Sequence, residues 1–407
     1  MRAGRLLATR AVFGTYTVTA GVLALLTAVG ACGAATAPAP APAPRPALPR
    51  PAVSSGPRWW DALDTATVRI PMLVATTRVP VPGVRPGLAF GLRDTTLLSF
   101  ADATLSLPSY RHRIDGSVVT PRDGQLPDPT HDVLVDSLAP LDSARFTTTV
   151  AARRDRASGA GVVVYVHGYD KSFERSAARL AQIAADIGFD GALVLFTWPS
   201  ADQMRMYARD QVEARAAGTA LRRVLASIAA RGAGPVRLVS HSMGAEVIAA
   251  ALAAPAPAGL RLDDVILLAP DLDADGFGLS VLPVLTTLGA RVTIYASAHD
   301  DALRASHRVN RSWRLGLAGD SLRLFPGVTT IDASRLHGEG LTARLGAGEP
   351  LRAGVQEAIL DALGHDLFEH PLVLADLREL IVERMPPERR RLLAVTDAAG
   401  RRYWRFR

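Results

Sequence analysis

The fold of this chain is decided by the stretch VRLVSHSMG at residues 236–244. Its first residues form a mostly apolar, β-branched run that is typical of a buried strand, and the Ala-rich residues 245–250 behind it favour a helix. Between the two, Ser242 is flanked by the small residues Ser240 and Gly244, as a sharp turn from strand to helix requires. This pattern is typical of a nucleophile elbow, although the usual motif has glycine where Ser240 stands.

The composition indicates a globular protein with a large core. The chain has 407 residues, 48% of them hydrophobic, which is enough for one sizeable domain with additions. Its net charge of +7 rests on arginine, because Lys171 is the single lysine, and this indicates a compositional bias more than a surface for polyanions. No helix-turn-helix pattern, zinc-finger spacing or basic aromatic repeat accompanies the charge, so we predict no nucleic-acid partner.

The first 58 residues are predicted to export and anchor the protein. Arginines precede an apolar run that ends in VGAC at residues 29–32, which resembles a bacterial lipobox. We therefore predict a lipoprotein signal peptide at residues 1–31, and a lipidated Cys32 with an extended Ala/Pro-rich linker at residues 32–58. The predicted location is the bacterial cell envelope, on the periplasmic side of the outer or inner membrane. An ordinary cleaved signal and an uncleaved anchor helix are the alternatives.

The rest of the chain is predicted to form a doubly wound, mostly parallel α/β sheet with an antiparallel N-terminal β extension. Alternating residues with Pro, Gly and Asp punctuation predict the extension at residues 59–150. Strands and helices alternate in the core, residues 151–385, and residues 386–407 are predicted as a basic C-terminal tail, with an edge strand as the alternative. Besides the elbow strand, core strands are predicted at residues 162–166, 192–196, 265–271, 291–297 and 328–332.

A serine at an elbow needs an acid and a base. Its hydroxyl attacks only when a histidine takes the proton, and a carboxylate orients that histidine and stabilises its charged form. In sheets with such an elbow, the acid and the histidine follow the serine in chain order, beyond the carboxyl ends of later strands. Asp300 directly follows the strand at residues 291–297 and is the predicted acid. The alternatives are Asp301, Asp271 and Asp273.

The predicted base is His365. It lies beside Gly364 in a loop beyond the strand at residues 328–332, where the chain order places the histidine. His370 competes with it, but its position before a proline at a predicted helix start favours a capping role. His337 is the weaker alternative.

Two backbone N–H groups are needed to bind the oxyanion of a tetrahedral intermediate. The amide of Met243, directly after the serine, is one candidate, and the amide of Tyr169 in the turn after the strand at residues 162–166 is the other. His167, in the same turn, is interpreted as a structural residue that orients this loop through hydrogen bonds.

No metal and no organic cofactor are predicted. The side chains of residues 365, 366, 369 and 370 include suitable ligand types, but the chain lacks a second such motif with helical ligand spacing. The single cysteine excludes a multi-cysteine site, and no Gly-rich loop of a phosphate-binding type occurs.

These residues resemble the α/β-hydrolase superfamily and, within it, the bacterial family named domain of unknown function 900, whose members are often labelled esterase/lipase superfamily enzymes. The resemblance implies an α/β-hydrolase fold and a triad of Ser242, Asp300 and His365. The residues Ala302-Leu303 after the acid favour Asp300 over Asp301. The motifs that carry the resemblance are VATTR at residues 74–78, VHGY at 166–169, SFE at 172–174, TWPS at 197–200, SHSMG at 240–244, APDLD at 269–273, YAS at 295–297, DDAL at 300–303 and GH at 364–365.

The sequence thus predicts a serine esterase that acts through an acyl-enzyme on a small-molecule or lipid ester. It would be held at the membrane by the N-terminal lipid. Amidase or thioesterase chemistry with the same triad is one alternative, and a non-catalytic envelope lipoprotein with this fold is the other. No oligomeric state is predicted.

Overall fold

The computed structural model describes residues 67–82, 88–108, 116, 118, 120, 128–156, 161–232, 234–336 and 365–407. All described residues belong to one compact unit within residues 58–407. The predicted signal peptide, Cys32 and the linker lie outside the described residues. Among the helices of the described part, none is long and apolar enough to cross a membrane.

One mixed sheet forms the centre of the described residues. Its strands are β1 (Val68–Pro82), β2 (Leu88–Leu107), β3 (Leu134–Leu141), β4 (Val162–Val166), β5 (Ala192–Thr197), β6 (Val236–His241), β7 (Leu262–Leu268), β8 (Arg291–Ala296), β9 (Val328–Asp332), β10 (Leu392–Thr396) and β11 (Arg402–Phe406). They pair in the order β10-β11-β9-β8-β7-β6-β4-β5-β1-β2-β3. The pairs from β9 to β1 are all parallel, whereas β1-β2-β3 is antiparallel. The predicted fold class, a mostly parallel α/β-hydrolase sheet with an antiparallel N-terminal extension, is confirmed.

Helices cover both faces of this sheet, because the core strands are apolar on both sides. In β4, for example, Val162 and Val164 belong to one buried apolar cluster, while Val163 and Tyr165 belong to the other. Helices α2 and α8 pack into the cluster of Tyr165, and α1, α3, α4 and α6 pack into the opposite one. The helices are α1 (Ser143–Arg156), α2 (Phe173–Ile187), α3 (Tyr207–Ala230), α4 (Gly244–Leu252), α5 (Ala274–Gly276), α6 (Leu282–Thr287), α7 (Asp301–Asn310) and α8 (Pro371–Ile381), and a π-helical turn, Phe277–Val281, joins α5 to α6.

The C-terminal residues 386–407 differ from the predicted tail. They contribute β10 and β11, an antiparallel hairpin whose second strand pairs in parallel with β9, so β9 is not the last strand. Trp404 and Phe406 are 7% and 2% exposed, and Arg405 forms an ion pair with Asp332 at 2.9 Å. The hairpin pairs with backbone N–H and C=O groups of β9 that would otherwise form an unpaired sheet edge.

Candidate active site

The predicted elbow is a strained turn between β6 and α4. Ser242 has a φ of +52°, a left-handed conformation that a residue with a side chain seldom adopts. Its N–H donates to the carbonyl of Leu268 at 3.0 Å, and its own carbonyl accepts from the N–H of Asp271 at 3.1 Å. Such a conformation costs on the order of 1–3 kcal/mol, so these bonds to the end of β7 and the residues after it are needed to hold it.

Close packing explains the glycines around the serine. A Cβ at Gly244 would lie 2.5 Å from the carbonyl oxygen of Val166. This distance is too short for any side chain, so only glycine fits at this position. A Cβ at Gly168 would lie 2.9 Å from the Cβ of Ser242, so the turn after β4 packs directly against the elbow. Ser240 takes the position of the usual first glycine, and its buried hydroxyl has no hydrogen-bond partner among the described residues.

The structure brings the predicted acid and base together. Asp300 is fully buried directly before α7, and its Oδ2 lies 2.8 Å from Nδ1 of His365, whose side chain is also buried. The carboxylate accepts, so Nδ1 of His365 carries a proton and Nε2 is the proton acceptor. Oδ1 of Asp300 accepts from the N–H of Leu303 at 2.8 Å, which fixes the carboxylate at the helix start.

The charge state of His365 is governed by two opposing effects. Burial favours the neutral imidazole and lowers its pKa, while the charge and hydrogen bond of Asp300 favour the imidazolium. The charges of Asp271 and Asp366 act in the same direction as Asp300. Together the three carboxylates outweigh burial, and the pKa of His365 lies above its usual value of 6.5. The site therefore stabilises the protonated base that forms when a serine hydroxyl is activated.

Two of the alternative acids lie elsewhere. Asp301 is half exposed and pairs with Arg304 at 2.7 Å on the surface. Asp273 caps α5, where its carboxylate accepts from the N–H of Gly276 at 2.7 Å. Within the described residues neither carboxylate forms a hydrogen bond or ion pair with His365, and both are accounted for by local helix chemistry.

Asp271, the third alternative, is the centre of a buried polar network. Its Oδ1 accepts from Nε of Arg314 at 2.7 Å and from the hydroxyl of Ser306 at 2.5 Å, and its Oδ2 accepts from the hydroxyl of Tyr207 at 2.8 Å. Arg314 also pairs with Glu246 of α4 at 3.3 Å. Because the N–H of Asp271 donates to Ser242, this network ties the elbow to α3, α4 and α7.

The remaining histidines are accounted for in different ways. His370 caps α8, as predicted, and its Nδ1 accepts from the N–H of Leu372 at 3.2 Å. His337 and Gly364 lie outside the described residues.

The side chain of His167 orders the loop after β4, which carries the predicted oxyanion donor Tyr169. Nε2 of His167 accepts from the N–H of Trp198 at 3.1 Å, so its Nδ1 donates to the carbonyl of Gly168 at 2.7 Å. The imidazole also stacks on the Trp198 ring, and burial lowers its pKa well below the usual value, so it remains neutral. This holds the backbone before Tyr169 against the elbow. The N–H of Met243 has no hydrogen-bond partner in the described part of the chain.

Arg78, which the sequence places in the VATTR motif without a predicted role, lies within β1 and braces the same loop. Its side chain is fully buried, and it donates to the hydroxyl of Thr197 at 2.9 Å, to the carbonyl of Lys171 at 2.7 Å and to that of Ser200 at 3.3 Å. Burial lowers its pKa to about 10, a value at which it keeps its charge in neutral solution. The polar TTR at residues 76–78, at the end of an apolar strand, was the available signal.

The carboxylates beside the base are paired with a cation. Asp366 and Glu369 lie 2.6 Å and 3.3 Å from Nη2 of Arg179. No group of three or more His, Cys, Asp or Glu side chains within the described ranges is arranged to hold a metal ion.

One comparison with known proteins found a match. Residues 142–338 match the family model described as an alpha/beta hydrolase of unknown function (DUF900). The matched region includes the elbow, the loop after β4 and Asp300, and it ends before His365. No curated protein matches the chain.

Proposed function

Since residues 142–338 belong to the α/β-hydrolase family, we propose that this hydrolase is a serine esterase that cleaves carboxylic esters through a covalent acyl-enzyme. The observation that carries the proposal is the 2.8 Å hydrogen bond between Oδ2 of Asp300 and Nδ1 of His365. A buried carboxylate that holds a buried imidazole in one tautomer leaves Nε2 as a general base. The strained elbow supplies a serine in the same part of the sheet.

In the first half of the reaction, Oγ of Ser242 attacks the ester carbonyl carbon while its proton passes to Nε2 of His365. The carbonyl π electrons move onto oxygen, and the amides of Met243 and Tyr169 donate hydrogen bonds to that oxyanion. Collapse of the tetrahedral intermediate re-forms the carbonyl and breaks the bond to the alcohol oxygen, which takes the proton from His365. The acyl group is then bound to Ser242 as an ester.

In the second half, water takes the place of the alcohol. His365 accepts a proton from the water as its oxygen attacks the acyl carbon, and collapse returns that proton to Oγ of Ser242. The products are a carboxylic acid and an alcohol. We propose esters rather than amides because an alcohol leaves more readily than an amine and demands less of the general acid.

We also propose that the protein is lipid-anchored in the bacterial cell envelope through Cys32. The support is the sequence itself, in which an apolar run ends in VGAC at residues 29–32 and an Ala/Pro-rich stretch follows. The tether would hold the hydrolase domain close to the membrane.

A fluorophosphonate probe tests the proposed nucleophile, because it reacts with an activated serine and not with an ordinary hydroxyl. We expect the detergent-solubilised full chain to be labelled, Ser242→Ala to lose all labelling, and His365→Ala to lose most of it. Ser240→Ala is the matched control and should be labelled like the parent, since its hydroxyl has no partner in the described structure. A folded parent that is not labelled would contradict the proposal, and hydrolysis of a panel of ester, amide and thioester substrates would identify the scissile bond.

A further inference from the structure

The side chain of His241 lies where three parts of the candidate site meet. It precedes Ser242 in the elbow and is 5% exposed. Its Nε2 lies 3.0 Å from the backbone carbonyl oxygen of His365, and the centres of the two imidazole rings are 4.9 Å apart. On the side of the oxyanion loop, a Cβ at Gly168 would lie only 3.1 Å from Nδ1. The ring therefore touches the segments that carry the nucleophile, the base and an oxyanion donor.

The contact with the carbonyl defines the tautomer of His241. A carbonyl oxygen only accepts hydrogen bonds, so Nε2 of His241 must carry the proton. Burial lowers the pKa of His241 to about 3, with His365 and Lys171 acting in the same direction and Asp366 against it. The side chain is consequently a neutral donor over the working range, and it adds no positive charge beside His365 when that residue is protonated.

We propose that His241 is a positioning residue for ester hydrolysis, which fixes the main chain of the base His365 to the nucleophile elbow. This inference rests on the proposed function. Asp300 holds the imidazole of His365 at Nδ1, while His241 holds its backbone at the carbonyl. The two contacts together define where Nε2 lies relative to the elbow.

His241 also packs against an aromatic side chain of the segment that follows His365. The ring of Phe368, in the short 3₁₀ turn after His365, lies 5.8 Å from the ring of His241. His241 therefore contacts the base segment at two points, one polar and one apolar. Loss of the polar contact would let the backbone of His365 shift, and a displacement of about 1 Å in a reacting group costs about 100-fold in rate.

Two substitutions separate the hydrogen bond from the packing. His241→Phe keeps an aromatic ring and removes the donor, whereas His241→Gln keeps an N–H at the place of Nε2. We expect His241→Phe in the full chain to lose about 10- to 100-fold in kcat on a p-nitrophenyl ester, with KM within about twofold of the parent. His241→Gln should recover most of that loss, and the exposed His131→Phe serves as the matched control with parental kcat.

The outcomes either support or overturn the inference. Parental kcat in His241→Phe would overturn it, as would equal losses in the Phe and Gln variants. Side-chain ¹⁵N NMR gives a readout that does not depend on turnover, because His241 should show a proton on Nε2 and none on Nδ1. In His241→Phe, the Nδ1–H resonance of His365 should move, and an unmoved resonance would contradict the contact. If the parent is not labelled by fluorophosphonate, the proposed function fails, while the NMR result still decides whether His241 holds His365.

Discussion

At the residue scale, the charge state of His365, the proposed base, depends on its pairing with Asp300. Burial alone would push the pKa of His365 below its usual value. The carboxylates of Asp300, Asp271 and Asp366 together reverse that shift, and Asp300 contributes both its charge and a hydrogen bond to the imidazolium. A stronger base results, at the cost of a larger protonated fraction near neutral pH.

This balance predicts the pH dependence of activity. Since His365 must be neutral to accept a proton and its pKa is raised, kcat/KM should rise with pH through a midpoint above 6.5 and be lost below it. Asp300→Asn should lower kcat by about 10³- to 10⁴-fold and move that midpoint to lower pH, because the charge that raises the pKa is gone. The measurement is a pH profile of ester hydrolysis.

The neighbouring carboxylate provides a matched control for this profile. Asp301 is exposed and pairs with Arg304 on the surface, so Asp301→Asn should leave both kcat and the midpoint unchanged. A larger effect of Asp301→Asn than of Asp300→Asn would reverse the assignment of the acid.

At the scale of elements, helix α2 holds the segment that carries His365. Arg179, in the middle of α2, pairs with Asp366 at 2.6 Å and with Glu369 at 3.3 Å, and it also donates to the carbonyl of Gly116 at 2.8 Å. Burial raises the pKa of Asp366, but the charge of Arg179, acting together with those of Lys171 and the neighbouring histidines, outweighs burial and lowers the pKa to about 2. The ion pair thus fixes the residue next to the base against the helix that follows the candidate oxyanion loop.

Removal of this cation should destabilise the protein. Arg179→Met leaves the Asp366 carboxylate buried without its nearest cation and should lower the free energy of unfolding by about 3–5 kcal/mol. Arg304→Met breaks an exposed pair and should cost about 1 kcal/mol or less. Urea denaturation at pH 7 measures both variants, and equal effects would contradict a structural role for the buried pair.

The pH dependence of stability gives a second check on the same pair. A carboxylate whose pKa is lowered on folding stabilises the protein above its ordinary pKa of 3.8, and this contribution is lost as the pH falls toward the folded-state value of about 2. In Arg179→Met, burial without that cation should raise the pKa of Asp366 above 3.8. The difference in stability between the parent and this variant should therefore be complete above that raised value and shrink as the pH falls from it toward about 2.

At the scale of the whole molecule, the parallel strands bring the site residues to the same side of the sheet, beyond the carboxyl ends of the strands. Strands β4, β6 and β8 are parallel, so the loop of His167, the elbow of Ser242 and the turn of Asp300 all follow the carboxyl ends of strands. The antiparallel additions lie at the two ends of the sheet, with β2 and β3 beyond β1, and β10 and β11 beyond β9. They extend the core without entering the site.

The anchor is the prediction that belongs to the intact chain. Because Cys32 is the only cysteine, Cys32→Ser should abolish incorporation of a clickable fatty acid in bacterial cells. The variant should also lose the partitioning into detergent that the lipid gives the parent. Ala35→Ser, three residues away, should be labelled like the parent. Equal fatty-acid labelling of the Cys32→Ser variant would show that the lipid, if any, is attached elsewhere.

The sequence by itself determined the features that depend on nearby residues. The elbow at residues 236–244, the strand Val162–Val166 and the cap of α8 by His370 all match the structure, because each depends on local periodicity, side-chain size or a hydrogen bond within one turn. The resemblance to a known family added a preference for Asp300 over Asp301, through the residues Ala302-Leu303 that follow.

Only the tertiary structure decided which distant groups meet. Residues alone left four carboxylates open as the acid, and Asp300 is the one that contacts His365, 65 positions away, while Asp271 pairs with Arg314. Likewise, the residues predicted as a tail form strands because β9 offers them an edge, and His241 gains its contact because the base segment packs on the elbow. Each of these contacts joins segments that are far apart along the chain. The residue pattern within one segment does not determine which other segment it will pack against.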